Sequence, residues 1–204
     1  MATNFQTEPS EVNAGASKIH GDGISIRTSV GDVYSTLQVL GTSWVGTSYN
    51  KLVQSFDAML PTLNDVCSFI QYSIPETLIM AMNNYLSADG GTKLNTSFNR
   101  PLPVGEISQG PTETVKFDEA VVEDGKSHIK NQFDSILSEL DSVIETVNSL
   151  RWSGEAADTV REALQRYKQQ LSENFTQVST QFQTSIEETR AAFSSAEGAN
   201  TVTQ

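Results

Sequence analysis

The chain has 204 residues and carries 13 Lys plus Arg against 25 Asp plus Glu, a formal net charge of −12. With no basic cluster to interrupt that surplus, phosphate backbones and anionic lipid are not expected as partners. Apolar residues at 37% and aromatics at 8% are lean for one thick core but suit helices that each bury a single stripe.

Residues 1–23 are polar and contain Gly15, Gly21 and Gly23, which predicts a flexible N-terminal arm. The segment opens with neither a charged region nor an apolar run, so export by the general secretory signal is not expected. From Ile24 onward, Ile26, Val30, Val33, Leu37, Leu40 and Trp44 recur every three or four residues, predicting an amphipathic helix.

After Trp44-Val45-Gly46 a second run keeps the stripe through Leu52, Phe56, Met59, Leu63, Cys67, Ile70, Ile74 and Leu78 up to Tyr85. Pro61 and Pro75 fall within it and predict kinks or short breaks, because each lacks a backbone donor. Residues 77–82 are apolar on nearly every face, more than a lone two-helix hairpin can bury, so this unit must pack against something else. Cys67, the single cysteine, lies on the apolar stripe and cannot form an intrachain disulfide.

Residues 90–111 hold clustered glycines and prolines without periodicity and predict a linker. Residues 112–125 are compatible with a short helix, a strand or more linker. From Ser127 the helical period returns through Ile129, Phe133, Ile136, Leu140, Val147 and Leu150, and the next turn is Arg151-Trp152-Ser153-Gly154. Glu155 opens a last helix whose stripe runs from Val160 to Phe193.

A shift of 108 residues carries Trp44 onto Trp152, Gly46 onto Gly154, Leu63 onto Leu171, Leu78 onto Ile186, Tyr85 onto Phe193 and Asp89 onto Glu197. The chain is therefore an internal duplication, with a first hairpin at 24–89, a linker at 90–125, a second hairpin at 126–197 and a tail at 198–204. The expected fold is all-α: two tandem helical hairpins packed antiparallel as an elongated four-helix bundle. Glycine in each turn relieves a sharp reversal. Trp44 and Trp152 can either close the corner or face another protein.

A hairpin with W-x-G in its turn and Y-x-x-x-D/E near the end of its second helix resembles the WXG family of type VII secretion substrates. The first unit matches with Trp44, Gly46, Tyr85 and Asp89. The second matches with Trp152, Gly154 and Glu197 but has Phe193 in place of the tyrosine. The resemblance implies a non-enzymatic protein of a Gram-positive type VII system, secreted without a signal peptide and needing no cofactor. It implies that the tyrosine and acid motif is an export signal read by the secretion ATPase, with another WXG-type protein or a toxin as a further candidate partner. It also implies that each W-x-G turn lies beside the other unit's motif, so that the tandem is a monomeric pseudo-dimer. A cytosolic adaptor or chaperone for a larger toxin is the alternative. Enzyme chemistry has little to rest on, since His20 and His128 are the only histidines and Cys67 has no nearby base in the sequence.

Overall fold

The computed structural model describes the backbone of residues 4–112 and 115–201, and side chains from 5–112 and 115–196. Its elements in chain order are β1 (Asn4–Phe5), α1 (Pro9–Ser43), β2 (Trp44–Val45), α2 (Thr47–Ser68), a π-helical turn (Phe69–Ser73), α3 (Ile74–Ala88), β3 (Lys116–Phe117), α4 (Glu119–Ser149), β4 (Trp152–Ser153) and α5 (Glu155–Thr201). The fold is an all-α four-helix bundle in which α2, the π turn and α3 form one rod. At 1.5 Å per residue, the 47 residues of α5 reach about 70 Å.

Two helix pairs join the units. α1 lies antiparallel to α4, with Gly15 against Leu150 at one end and Gly125 against Leu40 at the other. α2 lies antiparallel to α5, with Lys51 bonded to Glu188 and the Phe69 ring 5.5 Å from that of Tyr167. One continuous core joins both units, including Val12, Ile19, Ile26, Leu37, Leu63, Leu78, Ile136, Leu140, Leu171 and Ile186. The apolar segment 77–82 follows this arrangement: Leu78, Ile79 and Met82 are buried, whereas Met80 stays 62% exposed.

The first helix starts at Pro9, not Ile24, so most of the expected flexible arm is helical. Its glycines were misleading because two of them serve packing. A Cβ on Gly23 would lie 2.7 Å from the backbone of Gln71, and one on Gly15 would lie 2.8 Å from Leu150. Val12, Ala16 and Ile19 extend the buried stripe through the same segment. Likewise α4 begins at Glu119, inside the expected linker, where Asp118 accepts a hydrogen bond from the Val121 N–H at 3.3 Å. The helix α2 runs unbroken through Pro61, while Pro75 is the second residue of α3, just past the π turn. That wider turn sits where the proline removes a donor from the ladder.

Over the first helices the duplication follows a shift of 110 rather than 108. It carries Val12 onto Val122, Gly15 onto Gly125, Ile19 onto Ile129, Ile26 onto Ile136 and Leu40 onto Leu150. The Gly15–Leu150 and Gly125–Leu40 contacts are therefore one contact made twice. The second turn is two residues shorter, and it closes with Arg151 in the left-handed region at φ 44°.

Candidate functional site

Each W-x-G turn is closed by a short arm from the opposite unit. Trp44 pairs in antiparallel register with Phe117, just before α4, and Trp152 pairs with Phe5, just before α1. The arms also satisfy carbonyls left open at helix C-termini. Thr7 Oγ1 donates to Leu150 O at 2.6 Å, and the Asp118 N–H donates to Ser43 O at 2.9 Å. Two-residue strands carry no period, so the sequence offers little to find them by. The one usable signal is Phe5 and Phe117, each standing just ahead of a helix.

Gly46 has φ 134° and Gly154 φ 106°, both in the region that a Cβ penalises, and each immediately precedes the second helix of its hairpin. Trp44 and Trp152 are each 1% exposed. Both close a corner, and neither offers its ring to another protein in this state.

The surroundings of the two indoles differ. Trp44 Nε1 donates to Thr189 Oγ1 at 3.1 Å, and its ring lies 5.7 Å from Phe182 and from Phe117. Phe117 in turn lies 6.3 Å from Phe193, which is 39% exposed. The Trp44 turn and the Phe193 end of α5 are thus brought together through an interposed phenylalanine. Glu197 belongs to α5, but its side chain lies outside the described residues.

Trp152 stacks on Phe5 at 5.9 Å with the rings nearly parallel, and its Nε1 is buried without a hydrogen-bond partner. The shift of 108 places Ala81 where the other unit has Thr189, with Met80 and Met82 on either side, so no hydroxyl stands at that position. Tyr85 is 46% exposed and Asp89 is exposed at the C-cap of α3, its N–H donating to Tyr85 O at 3.2 Å. Among the described residues no ring contact joins Trp152 to Tyr85.

A second feature, absent from the sequence expectations, is the path of the linker. Residues 94–110 lie along α2, the π turn and α3, held at their backbone by side chains from the helices. Asn50 grips Gly110 through both its N–H and C=O at 2.9 Å each, and Asn64 grips Val104 the same way at 2.8 and 3.0 Å. Asn83 does so at Leu94, Asp57 accepts from the Ile107 N–H at 3.1 Å, and Gln71 donates to Asn99 O at 3.4 Å. The positions 50, 57 and 64 are seven apart and their partners 110, 107 and 104 three apart, whereas Gln71, seven further on, meets Asn99, five further along the linker. Seven helical residues rise about 10.5 Å, and three extended residues span about 9 to 10 Å, so the two repeats keep step from Asn50 to Asn64. From the α1 side Asn13 accepts from Thr96, Arg27 donates to Leu102 O, and the His20 ring lies 5.0 Å from Phe98. Phe98 and Ile107 are buried by this contact.

Three groups on this rod have displaced protonation equilibria, the first being Tyr49, whose phenol is pushed up to about 12 by burial and by the nearby Asp57. Burial raises the Asp57 carboxyl above its ordinary value, and the negative charge of Glu106 adds to this against the lowering effect of the Ile107 hydrogen bond. Burial pushes the Cys67 thiol up to about 12, which leaves it an inert hydrophobe at neutral pH. Among the described residues no helix is long and apolar enough to cross a membrane. No protein-family model, no curated protein and no solved structure matches this chain.

Proposed function

We propose that this chain is a non-enzymatic substrate or co-secreted partner of a Gram-positive type VII secretion system, acting by protein–protein recognition. The observation that carries the proposal is the pairing of two W-x-G hairpins in one chain, with the Trp44 turn beside Thr189 and, through Phe117, Phe193. A pseudo-dimer of this kind supplies its own partner hairpin. The two buried tryptophans then act by fixing the corner, and the surface left for the secretion ATPase is the ring-and-acid pair near a helix end. The Phe193/Glu197 end, joined to the Trp44/Gly46 turn, is the favoured site, and Tyr85 with Asp89 is its counterpart.

The test is an immunoblot of cells and culture medium with and without the secretion ATPase, followed by single variants. The protein is expected in the medium only when the ATPase is present. Glu197→Ala and Phe193→Ala are each expected to lower export while helicity stays near wild type. Normal export of both, with loss for Asp89→Ala, would move the signal to the first unit. Normal export of all three would remove the export-signal assignment. A protein retained in cells regardless of the ATPase would favour the cytosolic adaptor.

A further inference from the structure

Among the described residues, the linker lies against one of two equivalent grooves and not the other. The shift of 108 carries the ladder positions Asn50, Asp57, Asn64 and Gln71 onto Asp158, Gln165, Ser172 and Ser179, and the shift of 110 carries His20 and Arg27 onto Lys130 and Leu137. Ser172, Ser179, Lys130 and Leu137 line an open groove of about 510 Å³ between α4 and α5. Its inner wall is aromatic, with Phe133 and Phe175 stacked at 4.0 Å and an interplanar angle of 5°.

The second groove also differs where it matters for a ligand. Gly23 lets α1 close directly onto the backbone of Gln71, whereas its equivalent in the second unit is Phe133. Beside Phe133 lies a more enclosed cavity of about 170 Å³, lined by Ile129, Phe133, Val178, Phe182, Lys130 and Ser179. Dry apolar cavities of about 150 Å³ accept a benzene ring, so this one has room for a single large side chain.

We infer that the α4–α5 groove is a binding site for an extended, proline-containing segment of another polypeptide, anchored by one aromatic or large aliphatic side chain in the cavity beside Phe133. The occupant's chemistry follows from the filled groove. There the bound segment is extended, contains Pro101 and Pro103, presents backbone groups to helix side chains, and buries Phe98. Aromatic-lined grooves suit such segments because proline-rich chains are already extended and lose little entropy on docking. Ser172, Ser179 and Thr184 reach less far than the asparagines of the first unit, and each offers one hydroxyl where Asn64 makes two bonds. The strand must therefore sit closer to the helix or be held more weakly. A bound segment that can leave is consistent with an exchangeable partner. The inference does not depend on export.

The probe is a fluorescein-labelled synthetic peptide of residues 92–111, titrated into the full chain and followed by anisotropy. Saturable binding tighter than about 1 mM is expected. It is expected to weaken at least about tenfold in Ser179→Arg, which projects a guanidinium over the cavity from an exposed position, and by a similar factor when the peptide carries Phe98→Asp. Circular dichroism of Ser179→Arg must match wild type, since the substituted residue is exposed. Asn64→Ala, which loosens the filled groove, is expected to leave the titration unchanged. Three results overturn the inference: no saturable binding, binding that survives Ser179→Arg, or binding that Asn64→Ala strengthens, which would show exchange into the first groove. Self-association of the chain without peptide, abolished by Ser179→Arg, would also overturn it by making a second copy the occupant.

Discussion

Trp44 and Trp152 occupy the same place in two copies of one hairpin and are equally buried, but they differ in their ring neighbours and in whether the indole N–H is paired. Trp44 donates to Thr189, while Trp152 is stacked on Phe5 with its N–H unpaired. Duplication has preserved the shape of the corner without preserving its polar satisfaction. An unpaired buried N–H costs about 1–3 kcal/mol, so the two corners should respond differently to the same change. Trp→Ala should be severe at both, about 3–5 kcal/mol by urea denaturation. Trp→Phe separates them. At position 44 it removes a hydrogen bond and should destabilise by about 1–2 kcal/mol. At position 152 it removes the orphan donor and should be near neutral. Equal losses for the two Phe variants would mean that Trp152 Nε1 has a partner, such as an ordered water.

The glycines of α1 test the same contrast at smaller scale. Gly23 closes the first hairpin onto the Gln71 backbone, so Gly23→Ala should force the helices apart and cost about 1–3 kcal/mol. Gly21 and Gly31 have nothing within 4 Å of a built Cβ, so alanine there should stabilise by about 0.5–1 kcal/mol through helix propensity. Thermal unfolding of the three single variants decides it. A stabilised Gly23→Ala would mean that the two hairpins are equally open, and the distinction between a filled and an empty groove would lose its structural basis.

Those glycines also show where the sequence was and was not informative. The helical periods of three and four, the 108-residue repeat and the W-x-G turns were all legible, because burial on one stripe writes a period into the chain. The start of α1 was not, since a glycine that permits close packing looks in sequence like one that permits disorder. Nothing local distinguishes Gly23 from Gly21, yet one touches a backbone and the other faces open space. The strand arms were too short to carry alternation. The linker groove was hidden for a different reason: its information is split between two periods, seven along the helix and three along the linker, and neither signals contact alone. Asn50, Asp57, Asn64 and Gln71 resembled an ordinary solvated helix face. Phe117, which bridges Phe193 to Trp44, was missed.

The smallest expected effect concerns Asp57, the charged member of the ladder whose counterpart in the second unit is the neutral Gln165. Its carboxyl is raised above the ordinary 3.8, chiefly by burial and further by Glu106. A raised folded value means that the folded state holds its proton more tightly than the unfolded state does. The corresponding stability is fully present below about pH 3.8 and is lost as pH rises through the folded value. Near neutral pH the charge therefore opposes docking of the linker, even though Oδ1 accepts the Ile107 N–H. Asp57→Asn keeps an oxygen at that position and removes the charge. It should match wild type at about pH 3.5 and exceed it at pH 7 by a few tenths of a kcal/mol, the scale of a partly screened charge. Hydrogen exchange at the Ile107 amide should slow in the variant at pH 7. Faster exchange there would mean that the ionised carboxylate holds the linker better than an amide does. In that case the charge-assisted bond, rather than burial, would dominate at this rung of the ladder.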